Sequence, residues 1–331
     1  MTMDAPVKIL LTHTPFFRAN YYGARSLSGL QALGEVRLHE SDDALDPRQL
    51  IAAAQDVDVI VADRLTTGPA EIFEALPNLR AFVRCAVDIR NVAVPAASKA
   101  GVLVTRAGPG FVSSVLELTL GYLVDLSRGI SRATAAYHRG EVPPALMGRQ
   151  LAGASAGIIG FGSIGRALAP ILATLGMRVM VADPYAKVAD ARFEPVPLDA
   201  LLARSDYVIC LAVANEETEK LINAETLARM QPHAYFLNLS RGDLVDEDAL
   251  AQVLAEGRIA GAAMDVGRAR DQMPTPALAK LPNVIATPHV GGLTMPAIEA
   301  QALETVRQVA SILKGEAPHG AVNADSGTRS A

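Results

Sequence analysis

Short hydrophobic runs alternate along this chain with longer stretches in which hydrophobic residues recur every third or fourth position. The short runs predict buried strands, and the longer stretches predict amphipathic helices. Strands are predicted from Lys8 onward and at 57–62, 81–83, 102–104, 156–159, 178–182, 207–211, 234–239 and 284–287. This alternation predicts an α/β protein in which helices cover parallel sheets.

Two of the longer stretches predict prominent helices. Residues 111–139 are expected to form one long helix, and residues 297–313 a second, amphipathic one. Leucines recur at helical spacing in the first stretch, at Leu116, Leu120, Leu123 and Leu126. Both helices would bury one face against a sheet.

A glycine-rich turn joins the strand at 156–159 to the helix after it. Its sequence is Gly160-Phe161-Gly162-Ser163-Ile164-Gly165. In a dinucleotide site the first glycine permits the tight turn, the second lets the pyrophosphate approach the backbone, and the third lets the helix pack closely. The hexamer alone is a weak signal, but its place between a strand and a helix predicts a dinucleotide site.

Asp183 ends the next strand, 18 residues after Gly165. A carboxylate there can accept hydrogen bonds from an adenosine ribose diol, and it would repel the 2′-phosphate of NADP. No arginine stands beside it in the sequence, so NAD is the predicted cofactor. The alternative is that Asp183 and Pro184 only cap the strand.

The nucleotide unit begins in the middle of the chain, so another strand–helix unit precedes it. We expect the chain to return to that first unit near its end. The prediction is a discontinuous substrate domain, residues 1–107 and 292–331, and a nucleotide-binding domain, residues 108–291. Ligands bind beyond the carboxyl ends of such strands, so the active site is expected in a cleft between the domains.

Composition narrows the class of protein. The chain has 331 residues, half of them hydrophobic, and a net charge of −5, so it gives no electrostatic reason to bind nucleic acid or anionic membranes. It has no membrane-spanning run and no secretory signal at its N-terminus, and we expect a cytoplasmic protein. Cys85 and Cys210 lie in or beside strand-like runs and are expected to be buried reduced thiols, not a disulfide or a metal site.

Three later segments carry candidate catalytic residues. Arg241 follows a strand, Asp265 follows the next predicted helix, and His289 lies in a Pro-His-x-Gly-Gly turn after the last strand. An arginine binds a carboxylate through two parallel hydrogen bonds and stays charged. A histidine in a stiff turn can exchange a proton near neutral pH. Singly these residues could be a surface arginine and a turn histidine, but together they indicate catalysis.

The motifs together resemble those of the D-isomer-specific 2-hydroxyacid dehydrogenase family over most of the chain. The resemblance also includes Pro109-Gly110 and Ser114–Glu117 at the start of the long helix, and Leu211–Val213 with Thr218. It implies two similar domains, one flavodoxin-like and one Rossmann-like, usually in a homodimer. It implies an enzyme that interconverts 2-oxo and 2-hydroxy acids with NAD.

The resemblance also implies roles for individual residues. Arg241 would bind the substrate carboxylate and polarise its carbonyl, His289 would be the acid/base, and Asp265 would hold the nicotinamide carboxamide. The predicted cofactor contacts are Gly160, Phe161, Gly162, Ser163, Ile164, Gly165, Asp183, Ala212, Val213, Thr218, Ser240, Asp265, His289 and Gly291. The predicted substrate contacts are Arg64, Ala86, Val87, Asp88 and Arg241. No metal site is expected.

The chain departs from the family pattern at the residue that normally supports the histidine. The family has a glutamate five residues after the aspartate of its Asp-Val segment, where this chain has Arg270. A cation beside His289 would disfavour imidazolium. Asp271 is the candidate replacement if the loop is shifted by one residue, and Gln272 is the alternative.

A second departure lies in the predicted substrate loop, residues 84–91. Ala86 and Asp88 stand where the family has glycines, and Arg90 replaces an acid. An aspartate in a carboxylate pocket is repulsive unless an arginine neutralises it. An aromatic cluster after the first strand either packs in the core or partly lines the pocket: Phe16, Phe17, Tyr21 and Tyr22.

Two other functions remain alternatives to the dehydrogenase. One is an NAD(H)-sensing binding protein on the same scaffold, in which the altered loop marks lost catalysis; the presence of both Arg241 and His289 argues against it. The other is a formate- or phosphite-type dehydrogenase. Fold similarity alone does not distinguish these functions.

Overall fold

The computed structural model describes residues 6–326, which form two compact units. The first unit contains the described residues up to Gly110 and from Met295 onward, and the second contains Phe111–Thr294. Residues 1–5, on which the expectation about a secretory signal rests, lie outside the described part of the chain.

The first unit is built on a parallel sheet. Its described strands are β1 Lys8–Leu11, β2 Glu35–Leu38, β3 Val59–Ala62, β4 Ala81–Arg84 and β5 Leu103–Arg106. They lie in the order β2-β1-β3-β4-β5, and every pair is parallel. The order reverses between β1 and β3, and such a switch point leaves a crevice at the carboxyl ends of the strands.

Helices cover both faces of this sheet. They are α1 Pro15–Tyr21, α2 Ala24–Gln31, α3 Pro47–Ala53, α4 Ala70–Ala75, α5 Val94–Lys99 and, at the end of the chain, α13 Met295–Leu313. Successive strand residues point to opposite faces, so Ile60 joins the cluster that includes Leu50 of α3, whereas Val61 joins the one that includes Val309 of α13. The return of the chain to this unit through α13 makes the unit discontinuous.

The second unit has a larger parallel sheet. Its described strands are β6 Ser155–Ile159, β7 Arg178–Ala182, β8 Phe193–Pro195, β9 Tyr207–Cys210, β10 Tyr235–Asn238, β11 Gly261–Met264 and β12 Val284–Ala286. They lie in the order β12-β11-β10-β9-β6-β7-β8. The order reverses between β6 and β9, so the switch point lies beside the glycine-rich turn that follows β6.

Helices also cover both faces of the second sheet. They are α6 Val112–Arg128, α7 Ile130–His138, α8 Ser163–Thr174, α9 Leu198–Arg204, α10 Ala224–Leu227, α11 Glu247–Ala255 and α12 Pro276–Ala279. Short 3₁₀ turns follow at Gly242–Leu244 and Arg270–Gln272, and another lies at Ala324–Ser326 in the first unit. Cys85 and Cys210 are free and buried, as predicted, and burial raises the pKa of Cys210 to about 12.

The prediction of one long helix over 111–139 is wrong. Gly129 has a φ of 65° and ends α6, and α7 starts at the next residue. The side chain of Asp125 accepts a hydrogen bond from the Ser131 amide and so satisfies a donor in the first turn of α7. The leucine spacing was correct for α6, but glycine in the left-handed region terminates a helix.

Candidate functional site

The glycine-rich turn has a separate structural reason for each glycine. Gly160 has a φ of 90°, and a side chain there would lie 2.5 Å from the Ala212 backbone after β9. A side chain at Gly165 would lie 2.6 Å from the Gly160 carbonyl oxygen, so α8 packs directly on the turn. A side chain at Gly162 would meet no atom within 4 Å. The turn is therefore closed at two glycines and open at the third, in front of α8.

This open space fits a dinucleotide. Gly162 and Ser163 are exposed where α8 begins, and the first amides of a helix have no intrahelical acceptor. These amides and the helix dipole form an anion site that matches a pyrophosphate. Ser163 and Ile164 in the first turn would supply the donors, while buried Phe161 anchors the turn in the core.

Asp183 holds the turn together. Its carboxylate accepts hydrogen bonds from the backbone amides of Phe161 at 2.7 Å and of Tyr185 and Ala186 at 2.9 Å. Burial alone would raise the pKa of Asp183, but these amides and the charge of Arg166 hold it below its usual value. The aspartate therefore remains a carboxylate beside the open face of Gly162.

An arginine is closer to Asp183 than the sequence indicates. Arg166, in the first turn of α8, acts electrostatically on Asp183, and its guanidinium lies 4.8 Å from the centre of the Phe161 ring. No arginine is adjacent to Asp183 in the sequence, and Arg166 lies 17 positions before it, so this electrostatic effect follows from the fold.

The loops after β9 and β10 are tied to each other. The Ser240 hydroxyl donates to the Ala212 carbonyl oxygen, and the Thr218 hydroxyl donates to the Val213 carbonyl at 2.7 Å. Val213 is 76% exposed although it follows a buried strand. The predicted contacts Ala212, Val213, Thr218 and Ser240 thus form one continuous rim beside the glycine-rich turn.

Arg241 lies at the carboxyl end of β10. The Asn238 side chain braces its backbone by donating to the Arg241 carbonyl at 2.9 Å, and the arginine donates to the Ser240 carbonyl at 2.8 Å. A side chain at Gly242 would lie 2.2 Å from the Gly267 backbone, so the loops after β10 and β11 are in contact. Arg241 is thereby placed at the same sheet edge as Asp265.

Asp265 organises the turn that carries His289. It is 3% exposed, and its carboxylate accepts from the Thr287 hydroxyl at 2.6 Å and from the Val290 and Gly291 amides at 2.8 Å. Its carbonyl accepts from the His289 amide at 3.0 Å. A side chain at Gly291 would lie 2.7 Å from the carboxylate. The geometry makes Asp265 the support of the histidine turn.

His289 meets Asp271 through the backbone. Its Nδ1 lies 2.8 Å from the Asp271 carbonyl oxygen, which can only accept a hydrogen bond. Nδ1 therefore carries a proton, and Nε2 is the nitrogen that can exchange one. Asp271, Gln272 and His289 have φ values of 57°, 56° and 54°, each costing about 1 kcal/mol for a residue other than glycine. Arg270, at the family's glutamate position, is exposed.

A buried hydrogen-bond chain behind the histidine was not predicted from the sequence. Tyr122 of α6 donates to the Thr287 hydroxyl, which donates in turn to Asp265. Burial raises the pKa of Tyr122, so its hydroxyl stays protonated. In the sequence, the Tyr122 hydroxyl on the buried face of α6 is only a weak signal for such a chain.

The first unit holds the remaining predicted residues. Arg90 neutralises Asp88 through two contacts of 3.1 Å and one of 2.8 Å. Ala86 and Asp88 do not have positive φ values, so this loop follows a path that does not require the family's glycines. Among residues 6–326, the amides of Ala86 and Val87 meet no hydrogen-bond acceptor.

Arg64 follows β3 and lies on two aromatic rings. Its guanidinium carbon is 5.1 Å from the centre of the Tyr21 ring and 5.7 Å from that of Phe17. Those rings stack on each other, whereas Phe16 is 62% exposed and Tyr22 is buried in the core. The aromatic cluster therefore divides between core packing and an arginine platform.

The described residues offer neither a cluster of metal ligands nor a membrane-spanning helix. Residues 6–326 contain no group of three or more histidine, cysteine, aspartate or glutamate side chains placed to hold a metal ion. Over the same residues, no helix combines the length and the hydrophobicity needed to cross a membrane.

The strand orders and the glycine-rich turn define an α/β protein with a nicotinamide-dinucleotide-binding unit. Residues 120–291 match the model of the D-isomer specific 2-hydroxyacid dehydrogenase NAD binding domain. The chain belongs to this family, which confirms the predicted family, fold and nicotinamide cofactor.

Individual relatives agree with this family. Over 84% of this chain and 92% of its own length, the hydroxypyruvate reductase of Thermotoga maritima is 31% identical. The D-3-phosphoglycerate dehydrogenase of Mycobacterium leprae is 34% identical over 91% of this chain, and the match spans 57% of that longer protein. The TT0316 protein of Thermus thermophilus superposes with a TM-score of 0.86 at 28% identity, covering 96% of this chain and all (100%) of that one.

Proposed function

We propose that this protein is an NAD-dependent oxidoreductase that interconverts a 2-oxo acid and the corresponding 2-hydroxy acid. The observation that carries the proposal is the hydrogen bond from His289 Nδ1 to the Asp271 carbonyl, which fixes the tautomer of the ring. A general acid needs a defined proton position and a stiff support, and the Asp265 turn supplies the support. Family membership and the glycine-rich turn supply the rest of the argument.

His289 is proposed to hold and release the proton of the substrate oxygen at Nε2. In reduction the ring starts as imidazolium and gives this proton to the carbonyl oxygen. Nδ1 keeps its proton and its hydrogen bond to the Asp271 carbonyl throughout, so the ring does not turn during the transfer. The buried chain from Tyr122 through Thr287 to Asp265 keeps the turn in place.

Arg241 is proposed to bind the substrate carboxylate and to polarise the carbonyl. A guanidinium can form two parallel hydrogen bonds with a carboxylate, which orients the substrate as well as binding it. Its backbone is fixed by Asn238, so the loop is set before substrate arrives. In the first unit, the amides of Ala86 and Val87 are proposed as donors to a substrate carboxylate, and Arg64 as a further substrate contact, as the family resemblance implies.

The cofactor would be held by the glycine-rich turn and the rim beside it. Ser163 and Ile164 would bind the pyrophosphate, and Asp183 would bind the ribose diol. The bound nicotinamide supplies the hydride-transfer chemistry. Asp265 accepts three hydrogen bonds within the histidine turn and has capacity for a further one, so we propose that it orients this turn and would also hold the nicotinamide carboxamide.

Homodimer formation and a cytoplasmic location, predicted from the family resemblance and the sequence, belong to the same proposal. Light scattering coupled to size-exclusion chromatography tests the first. A mass of one chain at micromolar concentration would contradict it.

The direct test is NADH oxidation by the purified protein with a panel of 2-oxo acids, including glyoxylate, hydroxypyruvate, pyruvate and oxaloacetate. Turnover with one or more of them supports the proposed function. Tight NADH binding without turnover on any 2-oxo acid supports the sensing protein instead. Formate and phosphite with NAD complete the panel, and selective turnover of either would replace the proposed substrate class.

A further inference from the structure

Arg84 is the largest side chain that is completely buried among residues 6–326, at 0% exposure. It is the last residue of β4, a position from which an arginine would normally reach solvent. Its guanidinium donates from Nη1 to the Asp63 carbonyl oxygen and from Nη2 to the Asn91 side-chain oxygen at 2.6 Å. A buried cation with these two acceptors joins two different loops.

Both loops contain proposed substrate contacts. Asp63 precedes Arg64 in the loop after β3, and Asn91 follows Ala86–Asp88 in the loop after β4. Asn91 strengthens the connection, because its side-chain amide donates to the Arg64 carbonyl at 3.4 Å. Its own carbonyl accepts from the Gly68 amide at 2.9 Å.

The charge under the loops is balanced locally. Asp63 is 2% exposed, and its carboxylate accepts from the Thr66 amide at 2.8 Å and the Thr66 hydroxyl at 2.6 Å. Burial lowers the pKa of Arg84 to about 10, while Asp63 and Asp88 act in the opposite direction. The guanidinium thus stays charged at neutral pH, and its two acceptor bonds are charge-assisted.

We propose that Arg84 is a positioning residue for the 2-oxo acid: by binding Asp63 and Asn91 together it holds the amides of Ala86 and Val87 in the arrangement that receives the substrate carboxylate. This inference rests on the proposed function. Arg84 does not touch the substrate itself. It supports the loop from the buried side through its bonds to the Asp63 carbonyl and the Asn91 side chain.

The key variants change Asn91, which is exposed and belongs to neither hydrophobic core cluster of the first unit. Asn91→Ala removes the acceptor for Arg84, and Asn91→Asp keeps it. Arg84→Met and Arg84→Lys test the cation directly. Arg106→Met is the matched control, since Arg106 is exposed and pairs in register with Arg84 on the adjacent strand β5.

Asn91→Ala should raise the KM for the 2-oxo acid about 10-fold, with kcat and the Kd of NADH within about twofold of the parent values. Asn91→Asp should restore the parent KM, Arg84→Met should match or exceed the effect of Asn91→Ala, and Arg106→Met should have none. An unchanged KM in Asn91→Ala and in soluble Arg84→Met overturns the inference, because it leaves Arg84 a purely structural role.

Hydrogen–deuterium exchange separates this inference from the proposed function. Asn91→Ala should accelerate exchange of the amides at 85–91 and leave those at 163–174 unchanged. If the parent turns over no 2-oxo acid, the proposed function fails, and exchange alone then decides whether Arg84 positions the loop. Unchanged exchange at 85–91 overturns the positioning role in either case.

Discussion

His289 and Asp271 are joined by a hydrogen bond from the ring Nδ1 to the backbone carbonyl of the aspartate, over 2.8 Å. A carbonyl fixes the tautomer as a carboxylate would, but it brings no full negative charge to stabilise imidazolium. This hydrogen bond therefore orients the histidine ring. Proton transfer in this protein should consequently respond to charges placed in the loop at 270–272.

The first prediction concerns the pH profile of reduction. Asp271→Asn keeps the backbone carbonyl of residue 271. The pH at which reductive activity falls off on the alkaline side should therefore stay within a few tenths of a unit of the parent value. Arg270→Glu places a carboxylate at the family position, which favours imidazolium, so activity should persist to higher pH by about one unit. Profiles of kcat/KM for reduction measure both effects.

The control is Lys280→Glu, which makes the same change of charge as Arg270→Glu but at an exposed residue after α12. It should not move the alkaline limb of the profile. A large downward shift in Asp271→Asn would show that the aspartate side chain, and not its carbonyl, supports the histidine.

Arg241→Ala and His289→Ala should each lower kcat/KM, because each removes an interaction that strengthens in the transition state. The expected loss of transition-state stabilisation is on the order of 3 kcal/mol for each variant. The Kd of NADH, measured by fluorescence, should stay close to the parent value. Arg258→Ala is the control, an exposed arginine of the same unit paired with Glu256. Near-normal turnover in either test variant would remove that residue from the mechanism.

Gly162→Ala should fold normally and bind NADH poorly. The added methyl group meets no protein atom within 4 Å, but it occupies the space in front of α8. We expect the Kd to rise at least about 10-fold, or ~1.4 kcal/mol, with thermal stability unchanged. Gly121→Ala is the matched control in α6, where a methyl group is equally unhindered. Equal NADH affinity in both variants would contradict the proposed pyrophosphate site.

Asp183→Asn should weaken the preference for NAD over NADP. The variant loses the charge that repels a 2′-phosphate, and it also loses one acceptor oxygen, either for the Phe161 amide or for the Tyr185 and Ala186 amides. The nearby Arg166 would then attract that phosphate, so the ratio of kcat/KM values should fall about 10-fold. A parent enzyme that prefers NADP, or an unchanged ratio in the variant, would refute the assignment of Asp183.

His13 should make the first unit sensitive to acid. It is 2% exposed, and burial lowers its pKa to about 4, helped by Arg18 and Arg84 and opposed by Asp63. The unfolded chain binds a proton near pH 6.5 and the folded one only near pH 4, so stability is lost as pH falls between these values. Between pH 7 and pH 5, protonation of this histidine in the unfolded chain should lower the free energy of unfolding by about 2 kcal/mol.

Urea unfolding of the parent and of His13→Gln at the two pH values measures that contribution. The variant is expected to be less stable than the parent at both pH values. The loss of its free energy of unfolding from pH 7 to 5 should be smaller than that of the parent by about 2 kcal/mol. Parallel pH dependence in the two proteins would rule out His13 as the source.

Local motifs were predictable from the sequence because their function depends on neighbours along the chain. Gly160, Gly162 and Gly165 act within one turn, and the position of Asp183 follows from one strand–helix–strand unit. The break at Gly129 was missed because a periodicity does not show the backbone conformation of a glycine. The edge strands β2 and β8 were missed because their residues are partly exposed.

Contacts between distant segments were not predictable. Asp265 binds a turn 22 to 26 residues away, and the sequence cannot show that its carboxylate accepts three hydrogen bonds there. An arginine at the end of a strand is usually exposed, and only the fold shows that Arg84 is buried between two loops. In both cases a charged side chain is bound partly by backbone groups, which leave no signature in residue types.

The support of the histidine turn by Asp265 has a consequence for how this enzyme can change. A buried carboxylate at the end of β11 fixes the backbone of the turn that carries His289, whereas the loop at 270–272 supplies the carbonyl that receives the ring's Nδ1 proton. Two distant parts of the chain therefore place one side chain, the first through its backbone and the second through its ring. A substitution at the exposed Arg270 can change the charge near the ring while both supports stay in place.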